Sequence, residues 1–283
     1  MQDALAHCEA LVRAADRDRY LAALFAPVGC RGALYALYAF NVEIARVREA
    51  IREPLAGEIR LQWWTDALTG NGAGNVSAHP VASALLAVME MHRLPIDRLT
   101  ALIEARRFDL YDDPMRSLAD LENYGRATSS TLIELAAGIM GAGTAPGLEQ
   151  VALHAGVGQA IAGLLKAFPV HAARGQLYLP VELLERNGAR AQDIAARPAS
   201  AQLRAALAQA RQIARAHLAQ AGRLVQGVPY AALPALLPVA QARPLIDRME
   251  RADYDPFVPV EVSVWRRQWR LWHAARRPSR IFG

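Results

Sequence analysis

Along almost the whole 283-residue chain, apolar residues recur at intervals of three and four, and alternating apolar–polar runs are nearly absent. That spacing lines one face of a helix and does not line one face of a strand, so it confines the chain to an all-α fold. Abundant Ala and Leu, with few runs of β-branched residues, point the same way. The pattern predicts helices over 3–16, 18–25, 31–52, 57–69, 79–92, 95–109, 117–142, 147–166, 180–186, 199–226, 229–250 and 259–275. Proline and glycine punctuate them. Pro27 precedes the 31–52 helix and Pro54 closes it, 69–75 is a Gly/Asn loop, and Asp112-Asp113-Pro114 is a turn. Ser117 with Asp120 is a capping start, Pro169 ends or kinks the helix that holds Lys166, and Asn187-Gly188 is a turn.

Bulk properties bound the rest. Hydrophobic residues make up 53% and charged residues 21%, without a Gly/Ser linker or long charged tract, so a single domain over 1–283 is expected. A net charge of +5 is mild for a nucleic-acid binder and suits an anionic surface better. Cys8 and Cys30 lack metal-type spacing, which fits a reduced, cytoplasmic compartment. Asp3, Glu9, Asp16 and Asp18 leave no signal-peptide core at the N-terminus, and no uninterrupted apolar run approaches ~20 residues. A soluble or peripheral protein is therefore expected, not a spanning one.

Several short words stand in order. Tyr20 to Pro27 precedes Arg31. Tyr35-Ala36-Leu37-Tyr38-Ala39-Phe40-Asn41 follows, then Arg60-Leu61-Gln62-Trp63-Trp64 and Phe108-Asp109-Leu110. Tyr124 with Ser129-Ser130, Gly156-Val157-Gly158 at the start of a helix, and Gly175-Gln176-Leu177-Tyr178-Leu179-Pro180 complete the series. Over roughly residues 16–240 the chain resembles the squalene/phytoene synthase family, which implies an isoprenoid-synthase-like helical bundle around a central apolar cavity. The resemblance also implies two aspartate-rich motifs that hold Mg for ionisation of a prenyl diphosphate. Hard cations require carboxylate oxygens, and carboxylates four apart on a helix share a face. Counted from Phe40, the first motif falls on Ala45, Arg46, Val47, Arg48 and Glu49. Counted from Pro180, the second falls on Ala167 to His171, with Ala160 and Gly163 where the family has Gln and Asn. Only Glu49 keeps a carboxylate. The chain looks closest to a motif-degenerate subset that includes the mitochondrial assembly factor for respiratory complex I. Phe40-Asn41-Val42-Glu43, the Gly57–Trp64 run, Pro169 with His171 and an aromatic C-terminal helix are similar to it.

Candidate sites follow, each with a plainer alternative. Arg46, Arg48 and Arg52 form a cationic face for phosphate, or a solvated face paired with Glu49 and Glu53. Glu58, Arg60, Gln62, Trp63 and Trp64 line a cavity mouth, or are a helix start with two core indoles and an exposed Asp66. Lys166, His171, Arg174 and Tyr178 supply phosphate-binding donors in place of the lost aspartates, or are structural. Tyr20, Arg31, Tyr38, Asn41, Asp109 and Tyr124 are further ligand candidates. Asp109, Asp112 and Asp113 as a cation site compete with an ordinary turn, and no metal site is assigned. Trp265, Trp269 and Trp272, with Arg266, Arg267, Arg270, Arg276 and Arg277, suit a membrane or partner contact over about 259–277, or indoles docked on the bundle.

The resemblance implies a noncatalytic scaffold that assists assembly of respiratory complex I (NADH dehydrogenase), or one that binds an isoprenoid, quinone or lipid. No cofactor is expected, and the implied partners are complex I subunits or intermediates and a membrane surface, with no nucleic acid. The expected location is cytoplasmic, peripheral at the inner face of the cytoplasmic membrane. The alternative is an active, Mg-dependent prenyltransferase making squalene, phytoene or a hopanoid precursor, with Glu43, Glu49 and Asp109 as its carboxylates.

Overall fold

Every described element is helical. The computed structural model describes all residues except Arg52 and 72–74, and for Ala195 the backbone only. The helices are α1 (Gln2–Ala15), α2 (Arg17–Ala23), α3 (Val28–Ala45), α4 (Val47–Ala50), α5 (Pro54–Thr69), α6 (Pro80–His92), α7 (Ile96–Arg107) and α8 (Leu118–Gly125). They continue as α9 (Thr131–Ile139), α10 (Leu148–Ala173), α11 (Val181–Arg186), α12 (Ala201–Leu224), α13 (Leu233–Leu236), α14 (Ala242–Met249) and α15 (Val264–Arg276). Short 3₁₀ turns fill several joints, and a π-turn, Arg126–Ser130, separates α8 from α9.

The chain clusters into two compact units. The first comprises Met1–Tyr111, Thr131–Leu148 and Val228–Pro238. Its centre is α3, which packs against α1, α6 and α9. A helix apolar all round must be buried all round, and the unbroken stretch from Ala33 to Val42 is buried. Phe40 meets Trp64 edge to face at 5.1 Å between ring centroids, locking α5 onto α3.

The second unit comprises Asp112–Ser130, Glu149–Gly227 and Val239–Gly283. Here α10 is the core helix. A Cβ on Gly156 would lie 2.3 Å from the Ser130 backbone nitrogen, and one on Gly158 would lie 2.8 Å from Leu218. These glycines let the π-turn and α12 approach α10 closely. They sit mid-helix and do not start it as predicted.

Several boundaries differ from the sequence prediction. The 31–52 helix breaks at Arg46 (φ −96°, ψ 0°) into α3 and α4. Pro54 opens α5 at its first turn, where a missing N–H costs nothing, instead of closing the helix before it. The segment 112–117 is irregular rather than a turn, and Met115 exchanges backbone hydrogen bonds with Leu177 and Val181. The predicted 117–142 helix is interrupted by the π-turn, 229–250 is broken into short pieces, and the C-terminal helix starts at Val264. Ser117 and Asp120 do form a reciprocal capping box at the start of α8.

Pro169 does not end α10, which runs on to Ala173. Phe168 and Pro169 are buried, and Phe168 packs 5.8 Å from the Phe257 ring, so packing holds the turn that local preference disfavours. The helix ends instead at Gly175 (φ +71°), with Gln176 N–H donating to His171 C=O at 2.9 Å. At this length α10 is the one described helix long and apolar enough to cross a bilayer, and 56% of its most apolar stretch is buried inside the protein.

Candidate functional site

In the first unit, the break at Arg46 decides the fate of the first motif. Ala45 ends α3, Arg46 is exposed at the joint and Glu49 is exposed on α4. Positions 45 and 49 therefore do not share one continuous helical face. Arg52 lies outside the described residues. The other carboxylates suggested for an active enzyme are engaged by arginines. Glu43 pairs with Arg60 at 3.2 Å, and Asp109, itself buried, pairs with Arg106 at 3.2 Å.

Arg60 anchors one cluster. Its guanidinium lies 5.1 Å from the Trp63 ring centroid and 3.2 Å from His79 Nε2. His79 Nδ1 accepts the Ala82 N–H at the start of α6 at 3.3 Å. A neutral imidazole cannot accept at both nitrogens, so one of these contacts is not a full hydrogen bond. A second proton would face Arg60. Burial first, and Arg60 among the charges, hold the His79 pKa below its ordinary value. Trp64 is fully buried, while Trp63 is half-buried.

A second cluster gathers on α5 and the end of α7. Arg107 pairs with Glu58 and with Glu104 (2.7 Å) and donates to Gln62 Oε1 (3.0 Å). Gln62 donates in turn to half-buried Asp66 (2.8 Å), and the Tyr111 hydroxyl donates to Glu58 (3.0 Å). Glu58, Ile59, Gln62, Trp63, Asp66 and Arg107 line an open cleft of about 440 Å³. Glu58 and Gln62 belong to the predicted set. Arg107 and Tyr111 do not, although the Arg106-Arg107 pair directly before Phe108-Asp109-Leu110 was a visible signal.

The remaining first-unit candidates are dispersed. Tyr20 stacks on Tyr35 at 5.5 Å, and Arg31 Nε donates to Ala26 C=O at 3.1 Å. Tyr38 is buried beneath the Arg19 guanidinium, 5.9 Å from its centroid, and burial raises its pKa. Asn41 is buried with its side-chain oxygen unpartnered among the described residues.

In the second unit, the second-motif face of α10 is unlike a metal face. Gly163, Lys166 and Val170 are exposed, with half-buried Ala167 and His171 beside them. The His171 ring lies 4.4 Å from Tyr178, and Tyr178 lies 6.0 Å from Tyr124, so three predicted residues meet in one aromatic group. The space beside His171 and Tyr178 is walled mainly by leucines and Phe168 and measures about 20 Å³, room for about one water molecule. Arg174 is exposed in the turn after α10.

One further group has no signal in the local sequence. His154 Nδ1 and His217 Nδ1 are 3.0 Å apart, and His217 Nε2 lies 3.3 Å from Glu122. One proton order satisfies all three: His217 donates to Glu122 and accepts from His154. Burial, then His217, holds the His154 pKa below its ordinary value.

Mg is the cation that the family's chemistry implies, and this donor set does not fit it. Three of the four key motif positions carry Ala45, Ala167 and His171. Among the described residues, no group of three His, Cys, Asp or Glu side chains is placed to hold a metal ion.

Comparison with known proteins places the chain in a family. The family model for squalene/phytoene synthase matches residues 12–273. A mouse (Mus musculus) protein, NADH dehydrogenase (ubiquinone) complex I, assembly factor 6, is 30% identical over 93% of this chain and 81% of its own. Among solved structures, a dehydrosqualene synthase superposes with a TM-score of 0.80 at 18% identity, covering 97% of this chain and 96% of the other. A squalene synthase from Alicyclobacillus acidocaldarius gives 0.74 at 24% identity, with 90% and 96% covered. The all-α isoprenoid-synthase fold and the sequence match leave one conclusion: the chain belongs to the squalene/phytoene synthase family.

Proposed function

We propose that this chain is a noncatalytic member of its family that assists assembly of an NADH dehydrogenase complex. The observation that carries the reading is the missing carboxylate set. Neither motif supplies more than one acid, and the nearby acids Glu43 and Asp109 are held by Arg60 and Arg106. Without clustered carboxylates the motif positions cannot hold the Mg ions that would neutralise a departing diphosphate, which is a large part of such a barrier. The 30% identity over 93% of the chain to a protein named as a complex I assembly factor supports the assembly role. Its partners are subunits or intermediates of that complex, met from the cytoplasmic side of the membrane.

The test is genetic and biochemical together. Tagged protein captured from detergent-solubilised native membranes is expected to bring NADH dehydrogenase subunits with it. Deletion is expected to lower NADH oxidation by those membranes. Full NADH oxidation after deletion, with no co-purified subunit, would sink the assembly role.

A further inference from the structure

Three indoles on α15 point away from the protein. Trp265 is 80% exposed, Trp269 62% and Trp272 41%, while Leu271 and Ala274 are 1% exposed. At about 100° per residue the three indoles fall within an arc of about 60°, and Leu271 and Ala274 lie on the opposite side. The helix is held from behind, with Gln241 Nε2 donating to the Arg267 C=O at 3.0 Å. The indoles are therefore not its means of docking. Arg276 stacks on Trp272, with its guanidinium carbon 3.5 Å from the ring centroid, and Arg266 is exposed beside the indole arc.

Charge singles out the same element. Six of the chain's 32 Lys and Arg residues, and none of its 27 Asp and Glu, follow Glu261. The preceding residues carry 26 basic against 27 acidic side chains, so the net positive charge of the protein resides in this segment. Indoles prefer the boundary between hydrocarbon and water, where the ring is covered and its N–H stays wet. Arginines beside them match a layer of anionic phosphates. A protein partner could cover the indoles equally well, but nothing in an ordinary protein surface calls for a segment free of acids.

We infer that the outer face of α15 docks on anionic bilayer lipid, with Trp265, Trp269 and Trp272 at headgroup depth and Arg266 and Arg276 against lipid phosphates. This deepens the peripheral placement proposed above and is independent of any assembly role. The full chain is mixed with vesicles of phosphatidylcholine alone, and of phosphatidylcholine with phosphatidylglycerol, then separated by flotation. It is expected to float with the anionic vesicles only, to release as salt is raised, and to shift its tryptophan emission to the blue. W265A/W269A/W272A is expected to lose vesicle affinity by at least about tenfold with an unchanged melting temperature, and R266E/R276E to lose the preference for anionic vesicles. Failure of wild type to float, or flotation of the triple variant equal to wild type, overturns the inference. So does a lipid-free dimer in light scattering that the triple variant abolishes, because the face would then belong to a second copy. Product formation from a prenyl diphosphate would defeat the noncatalytic reading without altering any of these outcomes.

Discussion

Two glycines on one helix illustrate how differently single residues can be constrained. A methyl on Gly156 would press into the Ser130 backbone at 2.3 Å, whereas one on Gly163 meets nothing within 4 Å. G156A is therefore expected to cost about 1–3 kcal/mol through overpacking. G163A is expected to stabilise by about 0.5–1 kcal/mol, since Ala restricts the unfolded chain and suits the helix better. Urea denaturation of both variants checks the pair. Histidines give a second expectation at this scale. His79 and His154 both hold folded-state pKa values below 6.5. The unfolded chain takes up protons as pH falls through that value while the folded chain resists, so stability is complete above 6.5 and declines below it. Denaturation midpoints are expected to fall between about pH 7.5 and about pH 5.5, and H154Q is expected to flatten the slope. The two histidines of the His154–His217 pair are 63 positions apart, and nothing in local sequence announces such a pair.

Elements were legible where periodicity and capping agreed. Ser117 with Asp120 marks the start of α8, and α1, α6 and α12 fall within two residues of prediction. They were illegible where packing overrules local preference. Pro169 looked like a stop or a kink, and with buried Phe168 against Phe257 α10 continues one further turn. Arg46 is neither Gly nor Pro, yet α3 breaks there. The composition of α15 was plain, but not which side faces in: the larger apolar stripe is outside and the smaller one is buried. That arrangement has a consequence for stability. L271A is expected to destabilise by about 2–4 kcal/mol, as for other buried leucines. Alanine at Trp265 is expected to leave the melting temperature within about 1 °C, because surface changes away from special features are nearly neutral.

For the whole molecule, the family's fold stands with Ala45, Ala167 and His171 at three of the four motif positions. Fold and catalysis draw on separate positions. The buried stretch of α3, the Phe40–Trp64 contact and the glycine approaches of α10 maintain the helices. Ala45, Ala167 and His171 are only half-buried, so the helices pack without carboxylates at those positions. The family fold was legible because its words lie in the core. The residue types at the motif positions are read directly from the sequence. The Arg107 cluster was not, because it joins α5 to α7 through side chains distant in sequence. The most direct test is to incubate the purified protein with radiolabelled farnesyl and geranylgeranyl diphosphate, Mg and NADPH, beside an active enzyme of the family. No diphosphate release and no squalene or phytoene is the expected result. Product at a rate comparable to the control enzyme would contradict the account and require carboxylates other than those at the motif positions.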